Sequence, residues 1–126
     1  MPSKLFKRLV YIYVGTTNYD ADHNFYKNIL GAPVVWEFKK YGARVAAFDF
    51  AGEPYILLAD HIHAPGKRLI YEVDNLVESI KTLEKKGWKA DGKQFEVPDG
   101  PCINFSDESG NEYALLEMKR PRILEK

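Results

Sequence analysis

Arg68-Leu69-Ile70-Tyr71-Glu72-Val73-Asp74-Asn75-Leu76-Val77-Glu78-Ser79-Ile80 reads as a strand that turns directly into a helix, and this order of elements occurs twice in the chain. Arg68 to Val73 is the strand. Asn75 with Glu78 three residues on forms a helix-start box, Leu76, Val77, Ile80 and Leu83 form an apolar stripe, and Lys85-Lys86-Gly87 closes the helix. Near the beginning, Leu9 to Val14 is a strand and Thr17-Asn18-Tyr19-Asp20 sets a carboxylate three residues beyond a threonine. A helix follows, with Ala21, Phe25 and Ile29 beside Tyr26 and Leu30 on one face and Gly31 as its stop.

Three strand runs follow each helix. After the first they are Val34 to Phe38, Ala43 to Phe50 and Tyr55 to Ala59, broken by Lys40-Tyr41-Gly42 and Ala51-Gly52-Glu53-Pro54. After the second they are Gln94 to Val97, Cys102 to Phe105 and Glu112 to Met118, broken by Pro98-Asp99-Gly100-Pro101 and Asp107-Glu108-Ser109-Gly110-Asn111. The matching punctuation indicates an internal duplication, with units 8–60 and 67–119 inside one domain of 126 residues. Each unit has one helix to cover one face of its strands, so the other face needs the partner unit or a second subunit, and the uncovered faces would line a cup. The charged tail from Lys119 to Lys126 is expected to fray.

Composition narrows the function. Lys plus Arg and Asp plus Glu each total 18, which gives no long-range field favouring nucleic acid or an anionic membrane. The first residues lack the apolar stretch of a signal peptide, and no later run approaches the roughly 18 apolar residues that span a bilayer, so a soluble, cytoplasmic protein is expected. The single cysteine, Cys102, offers no internal disulfide and no paired-cysteine metal site, and reads as an ordinary strand thiol.

Phe25-Tyr26 ahead of Leu30-Gly31, Tyr71-Glu72-Val73-Asp74-Asn75-Leu76 at the second unit, and Asp107-Glu108-Ser109-Gly110-Asn111 before the final strand resemble the vicinal-oxygen-chelate superfamily of glyoxalases, bleomycin-resistance proteins and extradiol dioxygenases. The resemblance runs from about Arg8 to Lys119; the last turn departs from the family pattern at Glu108 and Ser109. It implies an α+β fold, two βαβββ units in a half-open eight-stranded barrel with helices outside, often a homodimer, with a ligand in the cup. The superfamily's enzymes hold a divalent metal there through His, Gln or Glu on the first and last strands of the units. By resemblance those positions fall at Tyr11, Arg68 and Ala114, and the fourth strand, Tyr55-Ile56-Leu57-Leu58, adds no His or carboxylate. Arginine has no lone pair to give near neutrality and alanine has no donor atom.

Tyr11 and Tyr13 alternate with Val10, Ile12 and Val14, so strand periodicity puts the phenols on one face and the aliphatics against the helix. The phenols either stack on a planar ligand or fill a ligand-free core. Arg68, Ile70 and Glu72 share a face, where Arg68 and Glu72 either pair with each other or leave Arg68 to clamp an anionic ligand. Trp36, Phe38, Phe48, Phe50 and Tyr55 add rings that suit an apolar, stacking pocket. His61 and His63 form a two-imidazole loop, either a polar rim or, with a carboxylate, a rearranged metal site. His23 reads as solvated, and Glu117 lies opposite Ala114, towards the helix.

The expected ligand-binding set is therefore Tyr11, Tyr13, Trp36, Phe48, Tyr55, Arg68 and Glu72, in a metal-free small-molecule-binding protein that uses no cofactor. The alternative is a metal-dependent lyase, epimerase or dioxygenase working through His61 and His63. A regulatory dimer with a filled cup is a third possibility.

Overall fold

The computed structural model describes residues 5–40 and 42–120, so the expectations for the first four residues, Tyr41 and the tail beyond residue 120 lie outside it. The element order is β1 (Phe6–Gly15), α1 (Tyr19–Asn24) continued by a π-helical turn (Phe25–Ile29), β2 (Val34–Lys40), β3 (Ala43–Phe48), β4 (Tyr55–Ala59), β5 (Lys67–Val73), α2 (Leu76–Glu84), β6 (Phe95–Val97), β7 (Gly100–Ser106) and β8 (Glu112–Glu117). The α+β pattern of two βαβββ units thus holds. Contacts divide the chain into two compact units, residues 10–68 in one and residues 69–120 with the beginning of β1 in the other.

In the unit of residues 10–68 the strands lie in the order β2-β3-β4-β1, with β1 parallel to β4 and the others antiparallel. In the other unit the order is β5-β8-β7-β6, so the first strand of each unit neighbours its last. This shared order is the topological counterpart of the repeat in the sequence.

The helices begin and end as their side chains dictate. Asn75 Oδ1 accepts the Glu78 N–H at 3.0 Å, and Asn18 Oδ1 accepts the Ala21 N–H at 3.1 Å. The first cap is therefore Asn18 rather than Thr17, whose neighbour Thr16 accepts the Asn18 N–H instead. Both helices close through a glycine in the left-handed region, Gly31 at φ 74° and Gly87 at φ 96°. In each case a later amide reaches back to a carbonyl of the last turn, Ala32 to Tyr26 at 2.9 Å and Trp88 to Leu83 at 3.2 Å.

One side of each strand set packs under its helix. Tyr19, Ala32, Ala46, Phe48 and Leu58 form the core beneath α1, with Val14, Tyr26 and Val34 against it. Val73, Leu76, Ile103 and Leu115 form the core beneath α2, joined by Tyr71, Ile80, Leu83 and Phe105. Fully burying one such aliphatic or aromatic side chain contributes roughly 1.5–3 kcal/mol.

The expected apolar stripe of α1 is only partly realised. Phe25, Ile29 and Leu30 are exposed, and the inward face carries Tyr19, His23 and Tyr26 instead. Tyr19, His23 and Tyr26 keep the i, i+4, i+7 spacing of a regular helix, and the face ends at the π turn, where Leu30 N–H bonds to the Phe25 carbonyl five residues back and the 3.6-residue period is not continued to Leu30. Val77 of α2 is likewise exposed. Among the described residues no helix is long and apolar enough to cross a membrane.

Candidate functional site

The face of the 10–68 unit opposite α1 is set by strand register. Tyr11 pairs with Tyr55 and Tyr13 with Leu57 across β1 and β4; Leu57 pairs with Ala47, and Ala47 with Trp36. Paired residues project to the same side, so Tyr11, Tyr13, Tyr55, Leu57, Ala47 and Trp36 share one face. Trp36 on β2 and Tyr11 on β1 stand three strand spacings apart and two residues out of level, about 16 Å on a flat sheet. Their ring centroids are nonetheless 6.1 Å apart at 82°. The two rings lean together over the small Ala47 and over Leu57, both fully buried, in an edge-to-face contact.

That contact separates the expected aromatic lining into two parts. Tyr11 and Trp36 are only 8% and 7% exposed, so their rings are mostly spent on packing. Tyr13 and Tyr55 are half-buried and retain accessible surface.

Phe48 does not belong to this face. Because Ala47 faces the tyrosines, Phe48 must point the other way, where it is fully buried against His23 and Tyr26 at centroid distances of 5.1 and 5.2 Å. Phe50 also lies on the helix side, its ring 5.5 Å from Tyr26.

The polar part of the site sits where β1 ends. Gly15 N–H donates to the Gly66 carbonyl at 2.9 Å, which seats the segment leading into β5 against the end of β1. Tyr13 and Arg68 each lie two residues from that bond. The approach is close enough to demand glycine: a Cβ on Gly15 would stand 2.0 Å from the His63 carbonyl oxygen. The loop so held places the His61 ring edge-on to Tyr13, at a centroid distance of 5.8 Å and 77°. Loss of hydration holds the His61 imidazole below its ordinary pKa; the Arg68 guanidinium acts in the same direction, and Asp60 opposes them. His61 is therefore neutral at pH 7, beside a fixed cation.

Asp60 is engaged elsewhere. Its Oδ1 accepts the Arg44 N–H at 2.8 Å and its Oδ2 accepts Arg44 Nε at 3.0 Å, and the backbone bond leads in holding its carboxyl below the usual carboxylate range. Arg44 also lies 4.3 Å above the ring of Tyr19, a cation–π contact. This cluster, with the His23 Nε2 to Glu37 Oε1 contact of 2.9 Å, was not legible in the sequence. His23 accordingly faces inward, contrary to its reading as a solvated residue.

The remaining expected residues lie in the other unit. Glu72 does not reserve its carboxylate for a ligand: its Oε1 accepts Arg8 Nε at 2.7 Å, with Lys7 at 3.8 Å from Oε2. Glu117 lies on the helix side as its spacing indicates, where Oε1 accepts the N–H of Leu76 at 2.8 Å and satisfies the first amide of α2. Ala114 is fully buried and Cys102 is a buried free thiol.

The donor chemistry does not fit a superfamily metal centre. Tyr11, Arg68 and Ala114 occupy the positions that the resemblance assigns to its ligands, and Asp60, the nearest carboxylate to His61 and His63 in sequence, is held by Arg44. Among the described residues no three His, Cys, Asp or Glu side chains converge on one point.

The fold itself is that of the vicinal-oxygen-chelate proteins. Methylmalonyl-CoA epimerase from Mycobacterium tuberculosis superposes with a TM-score of 0.78 at 18% identity, over 93% of this chain and 91% of that one. A hypothetical protein from Bacillus halodurans C-125 gives 0.76 at 17%, over 90% and 95%. A variant of Streptomyces coelicolor methylmalonyl-CoA epimerase, in complex with 2-nitronate-propionyl-CoA, gives 0.73 at 14%, over 90% and 99%. At these identities the likeness is one of fold. No protein-family model and no curated protein matches the sequence.

Proposed function

We propose that this chain binds a small organic molecule at the Tyr13, Tyr55, His61 and Arg68 end of its aromatic face, and that it does so without a resident metal. The observation that carries the reading is the donor set: a phenol, a guanidinium and a methyl group stand at Tyr11, Arg68 and Ala114, the positions that the resemblance assigns to the metal ligands. Such a surface holds a ligand by stacking and by directed hydrogen bonds. Metal analysis of protein dialysed without chelator, run beside a thermal-shift panel of small aromatic and acyl compounds, tests it. Melting points raised by members of the panel, with no stoichiometric divalent ion, are the expected result. A stoichiometric ion retained through dialysis would count decisively against the metal-free reading.

The structural neighbours support a second reading better than they support a binding protein. The first and third of the relatives above are epimerases, and this chain would then be a metal-dependent epimerase, lyase or dioxygenase with a rearranged site at His61 and His63. Turnover that survives replacement of both histidines eliminates that arrangement. A homodimer is part of either reading, and sedimentation measures it.

A further inference from the structure

We infer that the C-terminal end of the first helix is the contact surface of a homodimer, in which exposed Phe25, Ile29, Leu30 and Phe50 of one copy meet the same four side chains of a second copy. The inference rests on the homodimer named above and assigns its surface; it is independent of what the aromatic face binds. Three observations combine.

The first is the internal repeat, which supplies a comparison within one chain. Both helices start at an asparagine cap and stop at a left-handed glycine, so their last turns can be matched by counting back from the glycine. Phe25, Ile29 and Leu30 stand six, two and one positions before Gly31, and at the same distances before Gly87 stand Lys81, Lys85 and Lys86, all exposed. The place that one unit gives to solvated lysines is apolar in the other, although Phe25, Ile29 and Leu30 are 45%, 68% and 50% exposed. The fold therefore does not require apolar side chains there, and a large exposed apolar patch is the informative departure from an ordinary surface. Asn18 to Gly31 spans 13 positions and Asn75 to Gly87 spans 12, and the longer helix is the one with the π turn, a distortion frequent at functional sites.

The second is area. Phe50 extends the patch, its ring 5.5 Å from Tyr26, which lies 6.2 Å from Phe25. Four half-exposed side chains of this size present roughly 400 Å² of apolar surface, as much as the largest patches on single proteins, which are often functional. Two copies face to face would cover roughly 800 Å², close to the apolar share of a standard interface of about 1,600 Å².

The third is charge, which selects the partner. From Asn24 to Pro33 the sequence carries one formal charge, Lys27, and the polar groups beside the patch are amides, exposed Asn24 and Asn28, with Asn28 Nδ2 donating to Asn24 Oδ1 at 2.6 Å. One cation is too few for an anionic membrane, which interfacial helices engage through a face rich in Lys and Arg. Lys plus Arg and Asp plus Glu each total 18 in the chain, so two copies approach without net repulsion. An apolar centre beside neutral amides is self-complementary, as a contact about a two-fold axis demands.

The test is sedimentation of the full chain over a range of concentrations, for the wild type and for variants that carry the lysines of the second helix. Phe25→Lys, Ile29→Lys and Leu30→Lys together should weaken dimerisation at least about a hundredfold, because like charges would meet at the centre of the contact, and Ile29→Lys alone should weaken it about tenfold. Val77→Lys, at an exposed apolar residue of α2 outside the patch, should leave the dimer unchanged. Melting curves confirm that each variant is folded. Amide signals of the wild type that move on dilution should map to Phe25–Ala32 and to Phe50, a readout that needs no variant. A dimer that the folded triple variant keeps at unchanged affinity, or dilution shifts confined to other residues, overturns the assigned surface and leaves the homodimer standing. A wild type that stays monomeric throughout removes both, and a monomer that floats with phosphatidylcholine vesicles overturns the inference by giving the patch to a lipid surface.

Discussion

Removing a single oxygen should make this protein more stable, and increasingly so in alkali. Tyr19 is 4% exposed, its ring lies beneath Arg44, and its hydroxyl has no hydrogen-bond partner among the described residues. A buried, unsatisfied polar group costs about 1–3 kcal/mol, so Tyr19→Phe, which keeps the ring and the cation–π contact, should gain about 1 kcal/mol at pH 7. For a domain of this size that is a rise in Tm of about 4 °C. Burial, chiefly, and then the nearby Glu37 carboxylate push the Tyr19 phenol up to about 12, against a partial opposing effect of Arg44. The folded-state pKa thus exceeds the unfolded one, so the folded state retains a proton that the unfolded chain sheds. Between pH 10 and 12 the wild type should therefore lose on the order of 2 kcal/mol that the phenylalanine variant keeps. Urea unfolding of both proteins at pH 7 and through the alkaline series measures the difference, and other titrating groups cancel in the comparison. A variant less stable than wild type by 1 kcal/mol at pH 7 would show that the hydroxyl is hydrogen-bonded, and the argument would fail. Parallel alkaline curves would refute the second half of it.

Other expectations are more local. Glu117→Ala should destabilise by about 1–2 kcal/mol in urea unfolding, because the charged acceptor at the first amide of α2 is lost while the amide is left partly buried; a change within 0.5 kcal/mol, in the range of an ordinary surface substitution, would contradict that. Gly15→Ala should displace the 61–66 loop, seen as loss of the through-space ring contact between Tyr13 and His61 in nuclear Overhauser spectra, since its Cβ would overlap the His63 carbonyl; an intact contact in a folded variant defeats the packing argument. His61 has a folded pKa below its unfolded value of about 6.5, so its neutral form favours folding, and stability should decline as pH falls below about 6.5. His61→Asn should flatten that part of the pH profile, and an unchanged slope would assign it to other groups. Phe48→Ala should cost about 3–5 kcal/mol by opening the core beneath α1, with thermal unfolding as the readout.

Much of this architecture was legible because its signals are local. The Asn75 box, the glycine stops at Gly31 and Gly87 and the alternation of Tyr11 and Tyr13 with aliphatics each depend on neighbours within a few residues, where backbone geometry leaves little choice. The same locality placed Glu117 on the helix side three residues from Ala114, and the repeat of strand, helix and three strands gave the α+β class. One helix feature escaped this logic. The packed face is Tyr19, His23 and Tyr26, at regular helical spacing but centred on aromatic and polar residues, and the π turn at Phe25–Ile29 ends the period so that Ile29 and Leu30 are exposed with Phe25.

What only the tertiary structure decided is which face of one strand matches which face of the next. Alternation fixes parity within β3, but it does not say that Ala47 rather than Phe48 lies level with Tyr13; that depends on pairing through β4 and on the register shift between Val34 and Trp36 in β2. Partners distant in sequence were equally hidden. Glu72 meets Arg8 across 64 positions and Asp60 meets Arg44 across 16, so the charges that seemed available for a ligand were already assigned by strand neighbours. Sequence periodicity encodes direction relative to a residue's own backbone, whereas a binding site is a relation among several backbones, and the hydrogen-bond register that sets this relation is chosen by packing of the whole core.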